Sequence, residues 1–186
     1  SSSTANINEP SAINTTLTIT SSYNGYDISC HGSADAIVQV GTSTGGSGSY
    51  TYSKDNIIFT TLQPYTSLPA GYFHLWTKDS NGCMGKDSIL INQPSVINPT
   101  ITLVKSETCI GDGNGEIAAI PTGGTGAYSY LWNTIQAQTS SLITGLSAGS
   151  YTVDVTDANG CIGTETFNLD VAHVLVTTIW TDSVTC

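Results

Sequence analysis

The chain has 186 residues, of which 39% are hydrophobic and 10% are charged, and its formal net charge is −10. Four lysines and no arginine stand against 14 acidic residues, so the chain lacks the positive charge with which nucleic-acid-binding proteins neutralise phosphates. No apolar run approaches the roughly 20 residues of a membrane helix, and the N-terminal residues do not resemble a signal peptide. We therefore expect any targeting signal or anchor to lie outside this stretch or to be absent.

A six-residue pattern occurs twice and sets the register for most of the chain. Lys78–Cys83 reads KDSNGC, and Thr156–Cys161 reads TDANGC. In the same register the pair Gly45–Gly46 aligns with Gly123–Gly124. Self-similarity at a fixed period is typical of repeat proteins, so the sequence predicts a piece of a tandem array.

The repeat boundaries follow from a shorter similarity. Ile7–Ile13 resembles Ile91–Ile97, the junction that follows the first repeat. Pro94 and Pro99 lie at or near that junction, where proline stiffens the chain. The predicted parts are the tail of a preceding repeat (1–11), two full repeats (12–94 and 95–172) and the start of a truncated third repeat (173–186).

Both repeats predict strands and no helix. In the first, alternating β-branched residues open the repeat at Leu17–Thr20, and a second strand follows at 36–40. In the second, Tyr151–Val155 has the cleanest alternation and runs into Asn159–Gly160, a strong hairpin signal. The other strands predicted in the second repeat are 101–104, 116–120, 128–132 and 162–169.

About seven short strands per repeat, with turns every 8–12 residues, predict an antiparallel β-sandwich. The expected fold class is therefore all-β, with immunoglobulin-like antiparallel β-sandwich repeats joined end to end.

Five cysteines in a chain rich in serine, threonine and glycine indicate an oxidising compartment. The simplest pairing closes each repeat on itself, Cys30 with Cys83 and Cys109 with Cys161, and would stabilise each by about 4 kcal/mol. Buried free thiols are the alternative. Cys186 has no expected partner within this chain.

The second repeat combines a Cys109-x-Gly turn, the glycine pair 123–124, alternating Tyr128, Tyr130 and Trp132, and a segment from Leu146 to Cys161. This combination resembles the SprB repeat, a tandem module of large surface adhesins of Bacteroidetes, including a gliding-motility adhesin. The first repeat departs from the pattern, with Lys54 in place of the tryptophan and Phe73 in place of the later tyrosine.

That resemblance implies secretion to the cell surface by the type IX system and a role in adhesion or gliding. It carries no catalytic residue across. Those bacteria also O-glycosylate secreted proteins at Asp–Ser or Asp–Thr before a small or aliphatic residue. Ser88 and Ser183 stand in such a context, as DSI and DSV, and are candidate O-glycosylation sites, although so short a motif also arises by chance.

One strand of the first repeat carries an unusual face. The register places Phe73, Leu75 and Thr77 on the core side, so Tyr72, His74 and Trp76 fall on the opposite side. Such a row could contact sugar rings or a neighbouring chain. A covering loop or repeat is the alternative, as is a repacked core in which Trp76 fills the space left by Lys54.

The segment Asp112–Glu116 carries oxygen side chains at alternate positions, as the start of a calcium-binding EF-hand loop does. Ile117 occupies the position where that loop needs glycine, so a turn before a strand is the favoured interpretation. Calcium at repeat junctions remains the alternative. We expect no other metal and no organic cofactor.

Catalysis has little support in the sequence. His31, His74 and His173 lie in separate segments, and no serine or cysteine sits in a nucleophile elbow. We expect a non-enzymatic segment of a large, secreted, repetitive cell-surface adhesin. The alternatives are a carbohydrate-binding module and a self-assembling fibre subunit; the expected partners are adjacent repeats, surface polysaccharide or further copies of the chain.

Overall fold

A computed structural model describes residues 9–172 of the chain. Within that range every regular element is a strand, and no helix is long and apolar enough to cross a membrane. The strands are β1 Asn14–Ile19, β2 Ala36–Thr44, β3 Thr51–Ser53, β4 Tyr65–Leu68, β5 Gly71–Lys78, β6 Met84–Ile91, β7 Asn98–Lys105, β8 Gly115–Thr122, β9 Ser129–Trp132, β10 Leu142–Leu146, β11 Gly149–Thr156 and β12 Ile162–Leu169.

The chain divides into two compact units between Pro94 and Ser95. Unit 1 contains β1 to β6, and unit 2 contains β7 to β12. The predicted third repeat (173–186) and most of the predicted preceding tail (1–11) lie outside the described residues and stay predictions.

Each unit is built from two three-stranded antiparallel sheets. In unit 1 the sheet orders are β1-β2-β4 and β3-β5-β6; in unit 2 they are β7-β8-β10 and β9-β11-β12. The strand order is the same in both units, and each has six strands among residues 9–172, where the sequence predicted about seven. The all-β prediction is confirmed.

The core of unit 2 lies between its two sheets. Trp132 is 1% exposed, and its indole Nε1 donates to the Ser140 carbonyl oxygen at 2.9 Å. This hydrogen bond satisfies the one polar atom of a ring that is otherwise surrounded by apolar side chains. The residues that accompany it in the core are Ile97, Ile101, Ile117, Ala119, Ile143, Leu146, Val153, Val155 and Leu169.

Unit 1 builds its core without a tryptophan. β3 ends at Ser53, and Lys54, which takes the tryptophan position in the sequence register, is exposed. Tyr65 packs on Phe73 with ring centroids 5.3 Å apart, and the fully buried Ile28 joins the same cluster. The idea that Trp76 fills the core was wrong, because its strand turns it to the opposite face of the sheet.

Candidate functional site

β5 alternates between the core and the outer face of its sheet. Phe73, Leu75 and Thr77 are buried, whereas Tyr72 is 68% exposed. His74 and Trp76 are half-buried on the same side as Tyr72. We call this side of β5, with the residues of β6 paired to it, the outer face of unit 1.

Aromatic rings form a continuous row along the outer face. The Tyr72 and His74 rings are nearly parallel, with an interplanar angle of 8° and centroids 6.3 Å apart. The His74 and Trp76 rings meet edge to face, with centroids 6.1 Å apart. Both arrangements lie within the range in which aromatic pairs attract one another, so the row is a defined surface rather than three separate side chains.

The neighbouring strand β6 adds a cation and a hydroxyl to this row. Lys86 pairs with Trp76 across the two strands, and its Nζ lies 5.0 Å from a Trp76 ring centroid, in cation–π contact. Ser88 pairs with His74 and is exposed. O-glycosylation at Ser88 stays a prediction, and Ser183 lies outside the described residues.

A cavity of about 350 Å³ opens beside the aromatic row. This volume is at the lower end of the range for small-ligand pockets. His74 Nδ1 is buried and, among the described residues, has no hydrogen-bond partner; the same holds for Tyr65 Oη. Burial, and then the charge of Asp55, raise the pKa of the Tyr65 phenol. The cavity is lined in part by Lys54, Ser67, Tyr72, Phe73, His74 and Trp76.

The corresponding face of unit 2 has different chemistry. The register places Ser150, Thr152 and Asp154 where unit 1 has its aromatic row. Thr152 and Thr166 share a hydrogen bond between their hydroxyls at 2.9 Å, and the Thr164 hydroxyl donates to the Asp154 carboxylate at 2.6 Å. The corresponding sheets of the two units therefore differ on this face: it is aromatic in unit 1, whereas in unit 2 it is polar and its side chains bond to one another.

The duplicated Asp-x-Asn-Gly-Cys pattern forms a corner at one end of each unit. In unit 2, Asp157 Oδ1 accepts hydrogen bonds from the backbone N–H groups of Asn159 and Cys161, both at 2.9 Å. Its Oδ2 accepts from the Thr125 N–H at 2.9 Å and the Thr125 hydroxyl at 3.0 Å. Asp157 therefore joins the β11–β12 hairpin to the turn at Gly123–Gly124.

Unit 1 repeats this corner with Asp79. Its Oδ1 accepts from the N–H groups of Asn81 at 2.9 Å and Cys83 at 2.8 Å, and its Oδ2 accepts from the Ser47 N–H at 2.9 Å. The sequence pattern identified the hairpin but not the carboxylate that organises it. The signal was present, since the aspartate is among the duplicated residues.

Hydrogen bonding keeps both corner carboxylates ionised despite their burial. The Ser47 N–H, followed by those of Cys83, Asn81 and Gly82, lowers the pKa of Asp79. For Asp157 burial is the largest influence and acts to raise the pKa, but the hydrogen bonds to its carboxylate outweigh it, so the pKa is lowered.

Glu107 is a buried carboxylate that sequence reasoning missed. It is 1% exposed; its Oε1 accepts from the N–H groups of Gly111 and Gly113, and its Oε2 accepts from the Ala148 N–H at 2.8 Å. The hydrogen bonds from Gly113 and then Ala148 lower its pKa. Unit 1 has the apolar Ile28 two residues before its cysteine, where unit 2 has Glu107, so the repeat register could not reveal this group.

The comparison with known protein families identifies part of unit 2. Residues 101–137 match the SprB repeat. The resemblance inferred from the sequence is confirmed for this segment, which runs from β7 past the end of β9. It includes Cys109, the Gly123–Gly124 turn and Trp132.

None of the curated proteins matches the chain. Among solved structures, the amphioxus IgVJ-C2 molecule is similar at 10% identity and a TM-score of 0.36, over 84% of this chain and 96% of that chain. The structure of Dpr11 IG1 bound to DIP-gamma IG+IG2 is similar at 12% identity and a TM-score of 0.30, over 77% and 92%. These likenesses concern the fold alone.

The predicted disulfide bonds within each unit, Cys30–Cys83 and Cys109–Cys161, do not form. Cys83 is a free, exposed thiol, so the predicted Cys30–Cys83 pairing was wrong. Cys30, Cys109 and Cys161 are disulfide-bonded. The positions of the two cysteines explain why. Gly32, two residues after Cys30, donates its N–H to the side chain of Gln93, which follows the end of β6. Cys83 precedes the start of β6, so the length of this strand separates it from Cys30.

The predicted pairing of Cys109 with Cys161 fails for the same reason. In unit 2, Glu107 accepts a hydrogen bond from Ala148, so Cys109, two residues later, lies near the start of β11. Cys161 follows the other end of β11. Eight strand residues span about 23 Å, whereas the Cα atoms of a disulfide lie within about 7 Å. Each of these two cysteines is disulfide-bonded, but not to the other.

The acidic turn of the SprB-matching segment uses its oxygens internally. Asp112 Oδ2 accepts from the Cys109 N–H at 3.1 Å, and Asn114 Oδ1 accepts from the Thr108 N–H at 2.9 Å. No cluster of three metal-ligating His, Cys, Asp or Glu side chains occurs within residues 9–172. Calcium binding, the alternative to a turn at this segment, stays untested.

Of the three histidines, the structure describes two. His31 Nδ1 lies 3.1 Å from the Pro94 carbonyl oxygen, and His74 belongs to the aromatic row. His173 lies outside the described residues.

Proposed function

We propose that this chain is a structural and adhesive segment of a large, secreted, repetitive cell-surface adhesin. The observation that carries the proposal is the match of residues 101–137 to the SprB repeat, within a unit whose strand order recurs in unit 1. The role is mechanical and geometric rather than catalytic: repeated sandwiches extend a chain and multiply weak contacts.

Covalent and polar reinforcement of the units supports this role. Disulfides persist in oxidising extracellular environments, and three of the described cysteines are disulfide-bonded. Asp79 and Asp157 tie the corners of their units with several charge-assisted hydrogen bonds each. The proposed partners are neighbouring repeats of the same polypeptide and a polysaccharide-bearing surface. Type IX secretion and gliding motility belong to this proposal.

Surface exposure and attachment test it directly. Antibodies raised against this chain should label intact cells of the source organism without permeabilisation, and the soluble chain should reduce attachment of those cells to a surface. Labelling that requires permeabilisation would exclude a surface adhesin. Electron microscopy of native material distinguishes single extended chains from the bundles or polymers that a fibre subunit would form.

A second function, carbohydrate binding, is favoured by the outer face of unit 1. A row of aromatic rings, one exposed and two half-buried, beside a cavity of about 350 Å³ is suited to contact with sugar rings. Unit 2 lacks these rings at the same positions. Binding would therefore be a property of unit 1 and not of the repeat in general.

A further inference from the structure

We propose that the outer face of unit 1 binds acidic saccharides, with Tyr72 and Trp76 contacting sugar rings and Lys54 and Lys86 pairing with uronic-acid carboxylates. This inference rests on the carbohydrate-binding function proposed above and names its ligand class.

The placement of positive charge is the first argument. The chain carries only four lysines against 14 acidic residues. Lys54 lines the cavity beside the aromatic row, and Lys86 lies over Trp76, so two of the four lysines lie beside these rings. In an acidic protein, a local concentration of cations beside a cavity is complementary to an anionic ligand.

Both lysines are free to bind an anion. Within residues 9–172, neither ammonium group forms a salt bridge with an acidic side chain. Lys86 keeps its charge available while its side chain rests on the Trp76 ring, because a cation–π contact does not neutralise the ammonium. A carboxylate bound beside Trp76 would therefore gain a charge-assisted hydrogen bond without breaking an existing ion pair.

Asp55 and Asp87, which follow the two lysines directly in the sequence, accept hydrogen bonds from other groups. Asp55 Oδ1 accepts hydrogen bonds from the Ser53 hydroxyl at 2.7 Å and from the N–H groups of Ile57 and Ile58. Asp87 alternates with Lys86 along β6 and so faces the other side of the sheet, where its Oδ2 accepts from the Thr15 N–H at 3.0 Å. Neither carboxylate is used to neutralise the two lysines.

The aromatic row supplies the second argument. Tyr72 is 68% exposed, although a tyrosine ring carries a large apolar area, and its ring is held nearly parallel to that of His74. Sugar rings have apolar C–H faces that pack on such rings, with hydroxyl groups left at the rim for polar side chains. Ser67 and the unpartnered His74 Nδ1 are polar groups of the cavity wall.

Unit 2 provides a matched internal control. Replacing Tyr72, His74 and Trp76 by the residues at the same register positions of β11 gives Tyr72→Ser, His74→Thr and Trp76→Asp. These residues occupy the same face of an intact sheet in unit 2, so the triple variant should fold. A thermal melt of the triple variant checks this directly.

Titration calorimetry of the full chain tests the proposal with a short oligogalacturonate and its methyl ester. The ester keeps the sugar rings and removes the charge. The acid should bind the wild-type chain at least about tenfold more tightly than the ester, and raising the salt concentration should weaken acid binding. The triple variant and Lys86→Gln should each lose about tenfold or more in affinity for the acid, whereas Ser150→Ala in unit 2 should lose none.

The outcomes separate the proposals. Equal affinity for acid and ester would overturn the acidic-ligand inference and leave carbohydrate binding in place. Wild-type affinity in a folded triple variant would show that the outer face is not the site. Absence of binding to either saccharide would reject both this inference and the carbohydrate-binding function, while surface labelling of cells would still decide the adhesin proposal.

Discussion

At the scale of single residues, Asp157 is the group on which one corner of unit 2 depends. It is 6% exposed and accepts four hydrogen bonds from two turns that are far apart in sequence. Asp157→Asn replaces one carboxylate oxygen by an NH₂ group that faces N–H donors. We expect a loss of about 2–3 kcal/mol in the free energy of unfolding, measured by urea denaturation of the full chain.

Glu165→Gln is the control for this variant, because Glu165 is an exposed acid on the adjacent strand β12. It should change the unfolding free energy by less than about 0.5 kcal/mol. If both variants had the same small effect, the hydrogen bonds of Asp157 would not contribute to stability as proposed.

The buried carboxylates also predict how stability depends on pH. The pKa values of Asp79, Asp157 and Glu107 are lowered in the folded chain, as is that of the exposed Asp55, to about 2. Their contribution is therefore present above the unfolded pKa values near 4 and is lost as the pH falls through the lower folded values. Calorimetric melting temperatures should be nearly constant from pH 7 to 5 and fall steadily below about pH 4. A melting temperature that stays constant down to pH 2 would contradict these directions.

Cys83 is predicted to be chemically distinct from the other described cysteines. As an exposed thiol it should react with iodoacetamide in the folded, unreduced protein. Peptide mass spectrometry should find the label at Cys83 and not at Cys30, Cys109 or Cys161 until a reductant is added. If Cys83 stayed unlabelled until a reductant was added, Cys83 would be disulfide-bonded, and the pairing that the structure excludes would be restored.

At the scale of elements, glycine allows the edge strands of the two sheets to approach one another. A Cβ on Gly163 of β12 would lie 2.7 Å from both the Ile97 carbonyl oxygen and its Cγ2, just before β7. Gly85 of β6 has the same relation to Ile13 in unit 1. Neither glycine has a positive φ, so the requirement is for space and not for backbone conformation.

Gly163→Ala should therefore destabilise unit 2 by about 1–3 kcal/mol through overpacking. Gly149→Ala in β11 is the matched variant, since a Cβ there would meet no atom closer than 3.9 Å. Its effect should be close to zero in the same denaturation experiment. A neutral Gly163→Ala would mean that the sheets separate at this edge without cost.

Strand periodicity correctly predicted which face of the sheet each side chain occupies where apolar and polar residues alternate strictly. The alternation of β5 correctly separated Phe73 and Leu75 from the outer residues, because a strand turns successive side chains to opposite faces. The sequence register marked Lys54 as a departure from the repeat pattern but did not predict where β3 ends. A charged side chain could not occupy the buried position of Trp132, and β3 stops one residue earlier, at Ser53.

At the scale of the whole molecule, each unit has its own core. All of the buried apolar residues that surround Trp132 lie between residues 95 and 172, and Cys109 and Cys161 are not bonded to each other. A chain of residues 95–172 with both cysteines replaced by serine should therefore fold. Trp132 is its one tryptophan, so its fluorescence should be blue-shifted and should move to the red in urea. Emission typical of exposed tryptophan in buffer would show that the unit requires more of the chain.

The sequence by itself determined the features that local patterns encode. The duplicated Asp-x-Asn-Gly-Cys turn, the alternating strands and the glycine pairs were sufficient for the all-β class and for the SprB resemblance, because turn chemistry and strand periodicity act over a few residues. They also placed Tyr72, His74 and Trp76 on one face.

Only the tertiary structure decided which distant groups meet. Cysteine spacing suggested bridges within each repeat, but the two cysteines of a repeat lie at opposite ends of a sandwich, and no local pattern records that distance. The position of Lys54 and Lys86 beside the aromatic row, the two turns joined by Glu107 and the four hydrogen bonds of Asp157 likewise depend on which strands pair and on how the two sheets face one another. These contacts join residues far apart in the chain, so they are fixed by packing rather than by local sequence.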